Sequence, residues 1–94
     1  MKKTRRQEIV GLLETDEWSF DDLRHELQLT VKVLEEDLRH IRHSVRSGGM
    51  RLHLGPARCE NCDFEFTGGA LHPPGRCPNC KDRRIDGPWL KITS

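Results

Sequence analysis

The tetrapeptides 59-CENC-62 and 77-CPNC-80 decide the fold of this 94-residue chain. They contain all four of its cysteines, and fourteen residues separate them, just below the usual spacing of about fifteen to twenty. A Zn²⁺ ion takes four ligands arranged as a tetrahedron, and each C-x2-C turn offers two sulfurs from one short loop. We therefore predict one structural Zn²⁺ site whose ligands are Cys59, Cys62, Cys77 and Cys80.

Other roles for the four cysteines stay open from the spacing alone. Two disulfides would suit a secreted chain, and a dithiol redox pair would normally begin a helix after a strand. Iron fits the same four-thiolate cage as zinc. A catalytic zinc keeps one position open for water, whereas four cysteines close the shell. Because no paired carboxylates, nucleophile–base set or phosphate-binding glycine loop occurs in a supporting context, we do not expect an enzyme.

The composition indicates one small domain, or one domain that carries a small metal module. Only 34% of the residues are hydrophobic, and small domains of this kind commonly need a metal or a disulfide. Lys and Arg (16) nearly balance Asp and Glu (15), which excludes a strongly basic nucleic-acid binder but not a local basic face. No apolar run has the length of a signal or membrane segment, so we expect a cytoplasmic protein with no membrane partner.

The N-terminal half of the chain predicts three helices, over residues 5–15, 20–27 and 31–47. Thr4 with Gln7 forms a capping box at the first start, and Ser19 and Thr30 are candidate caps for the other two. A single apolar stripe runs along the third helix through Val31, Leu34, Leu38, Ile41 and Val45. Two helices joined by a turn of three or four residues, with the longer helix second, form a helix-turn-helix pattern.

The side of the third helix opposite this stripe would enter the major groove in a helix-turn-helix protein. The candidate DNA contacts on or beside that side are Thr30, Lys32, Val33, Arg39, His40 and His43. Lys32 and Arg39 could bind phosphates or guanine edges. Glu36 would be repelled by the DNA phosphates unless its carboxylate accepts a hydrogen bond from a cytosine amino group. The same side could instead be solvated or bind a protein, with Glu35–Arg39 and Glu36–His40 as surface pairs.

A second basic group lies at the N-terminus, in Lys2, Lys3, Arg5 and Arg6. It could act as an arm that contacts DNA phosphates, or as a frayed segment that only adds solubility. Basic residues also surround the cysteines, among them Arg58 and Lys81. We expect these to offset the negative charge of a four-thiolate zinc site rather than to bind nucleic acid.

Two predicted strands flank the cysteine region, at residues 51–55 and 89–93, and would pair as the stem of a hairpin. Trp18-Ser19 could add a short third strand, and Phe64 and Phe66 are predicted to pack beside the metal. The order helix, helix, helix, strand, insertion, strand is that of a winged helix. We therefore predict an α+β fold, a winged helix-turn-helix with three helices and a small antiparallel sheet, with a zinc ribbon inserted in the wing hairpin. The predicted domains are the winged helix-turn-helix at 1–55 plus 88–94 and the ribbon at 56–87.

At these residues the chain resembles a small family of prokaryotic, chiefly archaeal, predicted transcriptional regulators. Its members combine a winged helix-turn-helix with a rubredoxin-like zinc ribbon in place of the wing. The resemblance covers nearly the whole chain and rests on Thr4-Arg5-Arg6-Gln7-Glu8-Ile9, Asp22-Leu23 with Glu26-Leu27, Leu38, His40-Ile41 and Ser44, Pro56-Ala57-Arg58-Cys59, Phe64-Glu65-Phe66, Arg76-Cys77-Pro78 and Pro88. It implies zinc at the four cysteines and a role in transcription. A weaker similarity, to the alpha subunit of the initiation factor that joins a winged helix to a zinc ribbon, implies a partner in the transcription machinery.

Two features depart from the family's pattern. The residue after the second cysteine of each pair is often Gly, because the turn there is left-handed, but here it is Asp63 and Lys81. Asp tolerates that conformation better than Lys, so the second pair is predicted to use another turn. The turn between the second and third helices often carries Gly, and here Gln28 occupies it.

Three hypotheses for function follow from these residues and this resemblance. The leading one is a zinc-stabilised DNA-binding transcriptional regulator, with the third helix as recognition helix and double-stranded DNA as partner. The alternative is an adaptor that binds a protein of the transcription machinery through the ribbon, without sequence-specific DNA binding. The third is a rubredoxin-like electron carrier, which would hold iron in place of zinc.

Overall fold

The computed structural model describes residues 4–66, 71 and 75–94, and these form a mixed α+β fold of three helices and two small antiparallel sheets. In chain order the elements are α1 (Arg5–Thr15), β1 (Trp18–Ser19), α2 (Phe20–Leu27), α3 (Val31–Ser47), β2 (Arg51–Gly55), β3 (Ala57–Cys59), β4 (Glu65–Phe66), β5 (Ile85–Asp86) and β6 (Trp89–Thr93). The predicted helices and flanking strands are thereby confirmed.

Each helix begins at the residue that its cap predicts. At α1 the Gln7 N–H donates to the Thr4 hydroxyl (3.2 Å) and the Thr4 N–H donates to the Gln7 side chain (2.9 Å), which completes a capping box. The Ser19 hydroxyl accepts from the backbone N–H of the third residue of α2, and the Thr30 hydroxyl does the same for α3. These hydroxyls satisfy backbone donors that have no partner within their helix.

The first sheet places β6 between β1 and β2. The register of β2 on β6 runs from Arg51 opposite Thr93 to Gly55 opposite Trp89, which confirms the predicted pairing. On the other side of β6, Trp18 lies opposite Leu90, so the short third strand is also confirmed. Side chains alternate along β6, and Leu90 and Ile92 are buried against the helices.

One apolar core joins the helices to this sheet. Its buried residues are Ile9, Leu13, Phe20, Leu23, Leu34, Leu38, Ile41, Leu71, Leu90 and Ile92. The predicted stripe of α3 is therefore largely correct, but Val31 is 41% exposed because it is the first residue of α3 and lies at the end of the helix, outside this core. Among the described residues, no helix is both long and apolar enough to cross a membrane.

A carboxylate lies at one inward position of α3, where no polar residue was predicted. The Asp37 side chain is only 1% exposed and binds two arginines of α1. Arg5 donates from Nε to Oδ2 and from Nη2 to Oδ1 (3.0 Å), and Arg6 donates from Nε to Oδ1 (3.0 Å). These hydrogen bonds, led by those from Arg5, lower the pKa of Asp37 although burial acts to raise it. The cluster ties the start of α1 to the middle of α3.

We expect Asp37→Ala to destabilise the fold by about 2 kcal/mol, the usual contribution of hydrogen bonds to a charged group. Arg5 and Arg6 are about half exposed and can return to water, so no buried charge is left without a partner. Chemical denaturation at pH 7 measures the change, and Glu36→Ala, at an exposed neighbouring position, is the matched control and should have little effect.

The same cluster gives stability a defined pH dependence. Because the folded pKa of Asp37 lies below its ordinary value of 3.8, its contribution is fully present above about pH 4 and is lost as the pH falls through the folded pKa. The stability difference between the wild type and Asp37→Asn should therefore shrink in acid. A difference that stays constant from pH 7 to pH 2.5 would contradict the assigned role of the charge.

Candidate functional site

The second sheet frames the cysteine region. It places β3 between β4 and β5, with Arg58 opposite Glu65 and Cys59 opposite Ile85. Cys59 is therefore held in a strand that is paired on both sides. Inside this ribbon, Ala57, Cys59 and Cys77 are buried, and Cys62 and Cys80 are half-buried.

The two cysteine turns repeat one hydrogen-bond pattern. The carbonyl of Cys59 accepts from the N–H of Asp63 (3.0 Å), and the carbonyl of Cys77 accepts from the N–H of Lys81 (2.9 Å). The N–H of each first cysteine donates to a carbonyl five residues later, over 2.8 Å at Cys59 and 2.9 Å at Cys77. Each turn thus projects its two sulfurs to the same side, as a metal site requires.

The residue that closes each turn is left-handed. Asp63 has φ 61° and Lys81 has φ 68°, so the predicted difference between the two turns is wrong. A lysine side chain disfavours this conformation by about 1–2 kcal/mol, but the pattern of hydrogen bonds leaves the backbone no alternative. Gln28, at the other departure from the family's pattern, is likewise left-handed, with φ 54°.

The four sulfurs converge on one point. Cys59 Sγ lies 3.5 Å from Cys80 Sγ, Cys62 Sγ lies 3.6 Å from Cys77 Sγ, and all four lie within 4.8 Å of one another. With Zn–S bonds of about 2.3 Å, the sulfurs of a tetrahedral site stand about 3.8 Å apart. The arrangement is therefore that of a four-thiolate metal site, and it fits zinc or iron alike.

The surroundings act differently on two of the thiols. Burial raises the pKa of Cys59 to about 11, whereas hydrogen bonds from the Asn61 side chain and the Asp82 backbone lower the pKa of Cys80 to about 6. The Asn79 side-chain amide lies 3.4 Å from Cys62 Sγ and can donate to it. The donors beside Cys80 favour the thiolate form that a metal needs, and the cation itself must supply the compensating charge for the buried Cys59.

A charged pair and an aromatic pair lie beside the site. Arg84 binds both carboxylate oxygens of Asp82 and lowers its pKa to about 2. The predicted aromatic core is only partly present, because Phe64 is 37% exposed and meets Phe66 edge-on, with ring centroids 5.2 Å apart. In the part of the ribbon that the structure describes, Ala57 and the cysteine sulfurs are buried beside the site instead.

The candidate DNA contacts lie on α3 or at its N-terminal cap, and some of their side chains already bind other residues. Lys32, His40 and His43 are exposed along α3, and Val33 is half-buried. Two others already have partners, since the Thr30 hydroxyl caps α3 and Arg39 binds Glu35 at 2.9 Å. All of them remain predictions as DNA contacts.

The predicted basic arm is only partly described. Lys2 and Lys3 lie outside the described residues. Arg5 and Arg6 form the first turn of α1 and bind the buried carboxylate of Asp37. Their guanidinium groups are therefore already engaged within the fold. The sequence marks position 37 as inward, because it falls on the same helical face as Leu34 and Ile41, but it does not identify the two arginines as the partners of Asp37.

Comparisons with known proteins agree with the two halves of this structure. A family described as "PF0610-like, N-terminal" matches residues 4–53, and one described as "PF0610 rubredoxin-like zinc beta-ribbon domain" matches residues 56–94. The chain is similar to the solution NMR structure of protein PF0610 from Pyrococcus furiosus, with 30% sequence identity and a TM-score of 0.78 over 100% of this chain and 95% of that one. No curated protein matches. Because the first match alone spans more than half of the sequence, the chain belongs to the PF0610-like family and carries its rubredoxin-like zinc ribbon.

Proposed function

We propose that this protein is a zinc-stabilised DNA-binding regulator of transcription and that α3 is its recognition helix. The observation that carries the proposal is the exposed face of α3, which presents Lys32, Arg39 and His43 on a helix fixed from behind by α1, α2 and the first sheet. A helix of 17 residues is about 25 Å long, and the major groove admits one helix across its width.

The turn before α3 supports this proposal because it fixes the direction of the helix. Gln28 is left-handed, and the N–H of Leu29 donates to the carbonyl of Arg24 over 3.0 Å. Thr30 then caps α3. Helices α2 and α3 are thus joined by three residues, which is the connection of a helix-turn-helix.

The arrangement of the strands supports a winged helix-turn-helix in particular. Strands β2 and β6 pair over their full length beside α3, where a winged helix has the stem of its wing, and the ribbon takes the place of the tip. We keep the division into 1–55 plus 88–94 and 56–87, because β6 pairs with β1 and β2 and with no described strand of the ribbon. The family match of the ribbon nevertheless continues through β6.

In this proposal the metal is structural and the protein is not an enzyme. Four thiolates leave a tetrahedral ion without an open position for substrate or water. We propose zinc rather than iron, and metal analysis of the purified protein decides between them. A colourless protein with one equivalent of zinc is expected, whereas coloured protein with iron would favour the electron carrier.

Titration of a labelled duplex at several salt concentrations tests DNA binding. Each phosphate contact should contribute about −0.9 to the slope of log K against log salt. The double variant Lys32→Ala/Arg39→Ala should bind more weakly than the wild type, and Glu8→Ala, on the exposed surface of α1, is the control for folding. If the wild type does not bind the duplex at 50 mM salt, the proposal is wrong.

A second candidate function is an adaptor that binds a protein of the transcription machinery, and an acidic surface favours it. Residues 14–26 contain six acidic side chains against one arginine, and they flank β1, at the opposite edge of the sheet from β2. Such a surface suits a basic protein partner and repels DNA. A pull-down that retains a transcription protein after nuclease treatment would favour the adaptor, and nuclease-sensitive recovery would favour direct DNA binding.

A further inference from the structure

A basic groove of about 840 Å³ lies between the C-terminal half of α3 and strand β2, and we call it the α3–β2 groove. The helix contributes Arg42 and Arg46, and the strand contributes Arg51 and His53. None of these four residues was a candidate DNA contact in the sequence. They are brought together because the chain reverses direction at Gly48 and Gly49, between α3 and β2.

Among the described residues, the arginines of the α3–β2 groove have no counterion. In the part of the chain that the structure describes, Arg42, Arg46 and Arg51 form no ion pair, unlike Arg39 on the same helix. No Asp or Glu occurs between Asp37 and Glu60 in the sequence. The positive charge of the groove is therefore uncompensated within this stretch, although the whole chain is nearly neutral.

The shape of the groove suits a repeating anion. Arg42 and Arg46 are one helical turn apart, with Cβ atoms about 5–6 Å from each other, and Arg51 and His53 are about 7 Å apart along the strand. Both spacings are comparable with the separation of neighbouring phosphates on one nucleic-acid strand. Strand β2 is also the edge of its sheet, and phosphates accept readily from backbone N–H groups.

The lining favours a duplex over a single strand. The apolar side chains of the groove are Met50, Leu52 and Leu54, and its described lining contains no Phe, Tyr or Trp. Proteins that bind single strands stack the bases on aromatic rings. A duplex instead offers its phosphates and keeps its bases inside.

The N-terminal half of α3 is a weaker electrostatic anchor than this groove. The positive charges of Lys32 and Arg39 there are offset by the negative charges of Glu35 and Glu36, and Glu35 already binds Arg39. We propose that the α3–β2 groove binds the phosphate backbone of the DNA duplex that α3 reads, as the anchor that a wing tip would otherwise provide. This assignment rests on the proposed function.

Fluorescence anisotropy with a labelled duplex tests the groove through Arg46→Ala/Arg51→Ala. Loss of two phosphate contacts should flatten the salt slope by about 2 and weaken binding roughly 30-fold at 0.15 M salt. The control Arg76→Ala/Arg83→Ala removes the same charge from exposed ribbon positions and should leave the slope unchanged. The variant Arg46→Lys/Arg51→Lys keeps the charge and should restore the slope, which excludes misfolding as the cause.

The outcomes separate the groove from the proposed function. If the wild type binds DNA and Arg46→Ala/Arg51→Ala keeps the wild-type slope, the groove assignment is overturned while DNA binding stands. If the wild type binds no DNA at 50 mM salt, both are overturned. If the double variant changes only self-association in sedimentation equilibrium, the groove takes the acidic surface of a second copy, and the assignment to DNA is wrong.

Discussion

Replacing Cys77 with serine is expected to abolish tight metal binding and to unfold the ribbon, while the three helices stay largely folded. Structural zinc supplies roughly 10–16 kcal/mol of apparent binding free energy in small peptides at neutral pH. Among the described residues, the buried interior of the ribbon around the metal site is little more than Ala57 and the sulfurs themselves, which cannot replace that contribution. We therefore expect residues 57–87 to lose protection from hydrogen exchange, with metal content falling from one equivalent to almost none.

The helical half should be weakened by this change but not unfolded. Without the metal, the pairing of Gly55 with Trp89 must close an unstructured loop of about 33 residues, at a cost of roughly 3 kcal/mol. Leu71 also belongs to the main core, and its packing would be lost. The helical signal in circular dichroism should persist at low temperature and melt earlier.

Glu60→Ser is the matched control for Cys77→Ser. It places serine at an exposed position within the first cysteine turn and leaves all four thiols in place, so metal content and melting temperature should stay at wild-type values. Complete loss of the helical signal in Cys77→Ser at low temperature would refute the separation of the chain into two units.

Leu90→Ala should have the opposite effect, in which the helical core is damaged and the metal is retained. Leu90 is fully buried in the central strand β6, and removing such a side chain costs about 3 kcal/mol, from lost burial and the cavity that remains. For a domain of this size the melting temperature should fall by roughly 15–20 °C. The cysteine turns make none of their hydrogen bonds to Leu90, so metal analysis should still give one equivalent.

Lys91→Ala provides the comparison for Leu90→Ala. Lys91 is the next residue of β6 and is exposed, so its replacement should change stability by less than about 0.5 kcal/mol. Release of the metal from folded Leu90→Ala would show that the core and the ribbon form one cooperative unit, contrary to the expected independence.

The elements that could be predicted are those encoded locally. Thr4, Ser19 and Thr30 each begin a helix because a hydroxyl binds backbone N–H groups within one turn, and that information lies within four residues of sequence. The metal site could also be predicted, since the C-x2-C turns contain their own geometry. The pairing of β2 with β6 followed from their positions on either side of the ribbon.

The features that could not be predicted depend on packing between distant segments. The position of Asp37 on the inward face of α3 is visible in the sequence, but its partners Arg5 and Arg6 come beside it only through the packing of α1 on α3. Lys81 is left-handed because the hydrogen bonds of the cysteine turn override its intrinsic preference. The α3–β2 groove joins two short basic stretches that only the chain reversal after α3 brings side by side.

The central position of β6 has a consequence for the order of events during synthesis. This strand follows the ribbon in the chain, so it leaves the ribosome after all four cysteines have already emerged. The helices meanwhile lack the strand that carries Leu90 and Ile92 into their core. If the metal is captured as the ribbon appears, β6 arrives already tethered beside β2, so early metal capture speeds the last folding step of the helical half without being required for it.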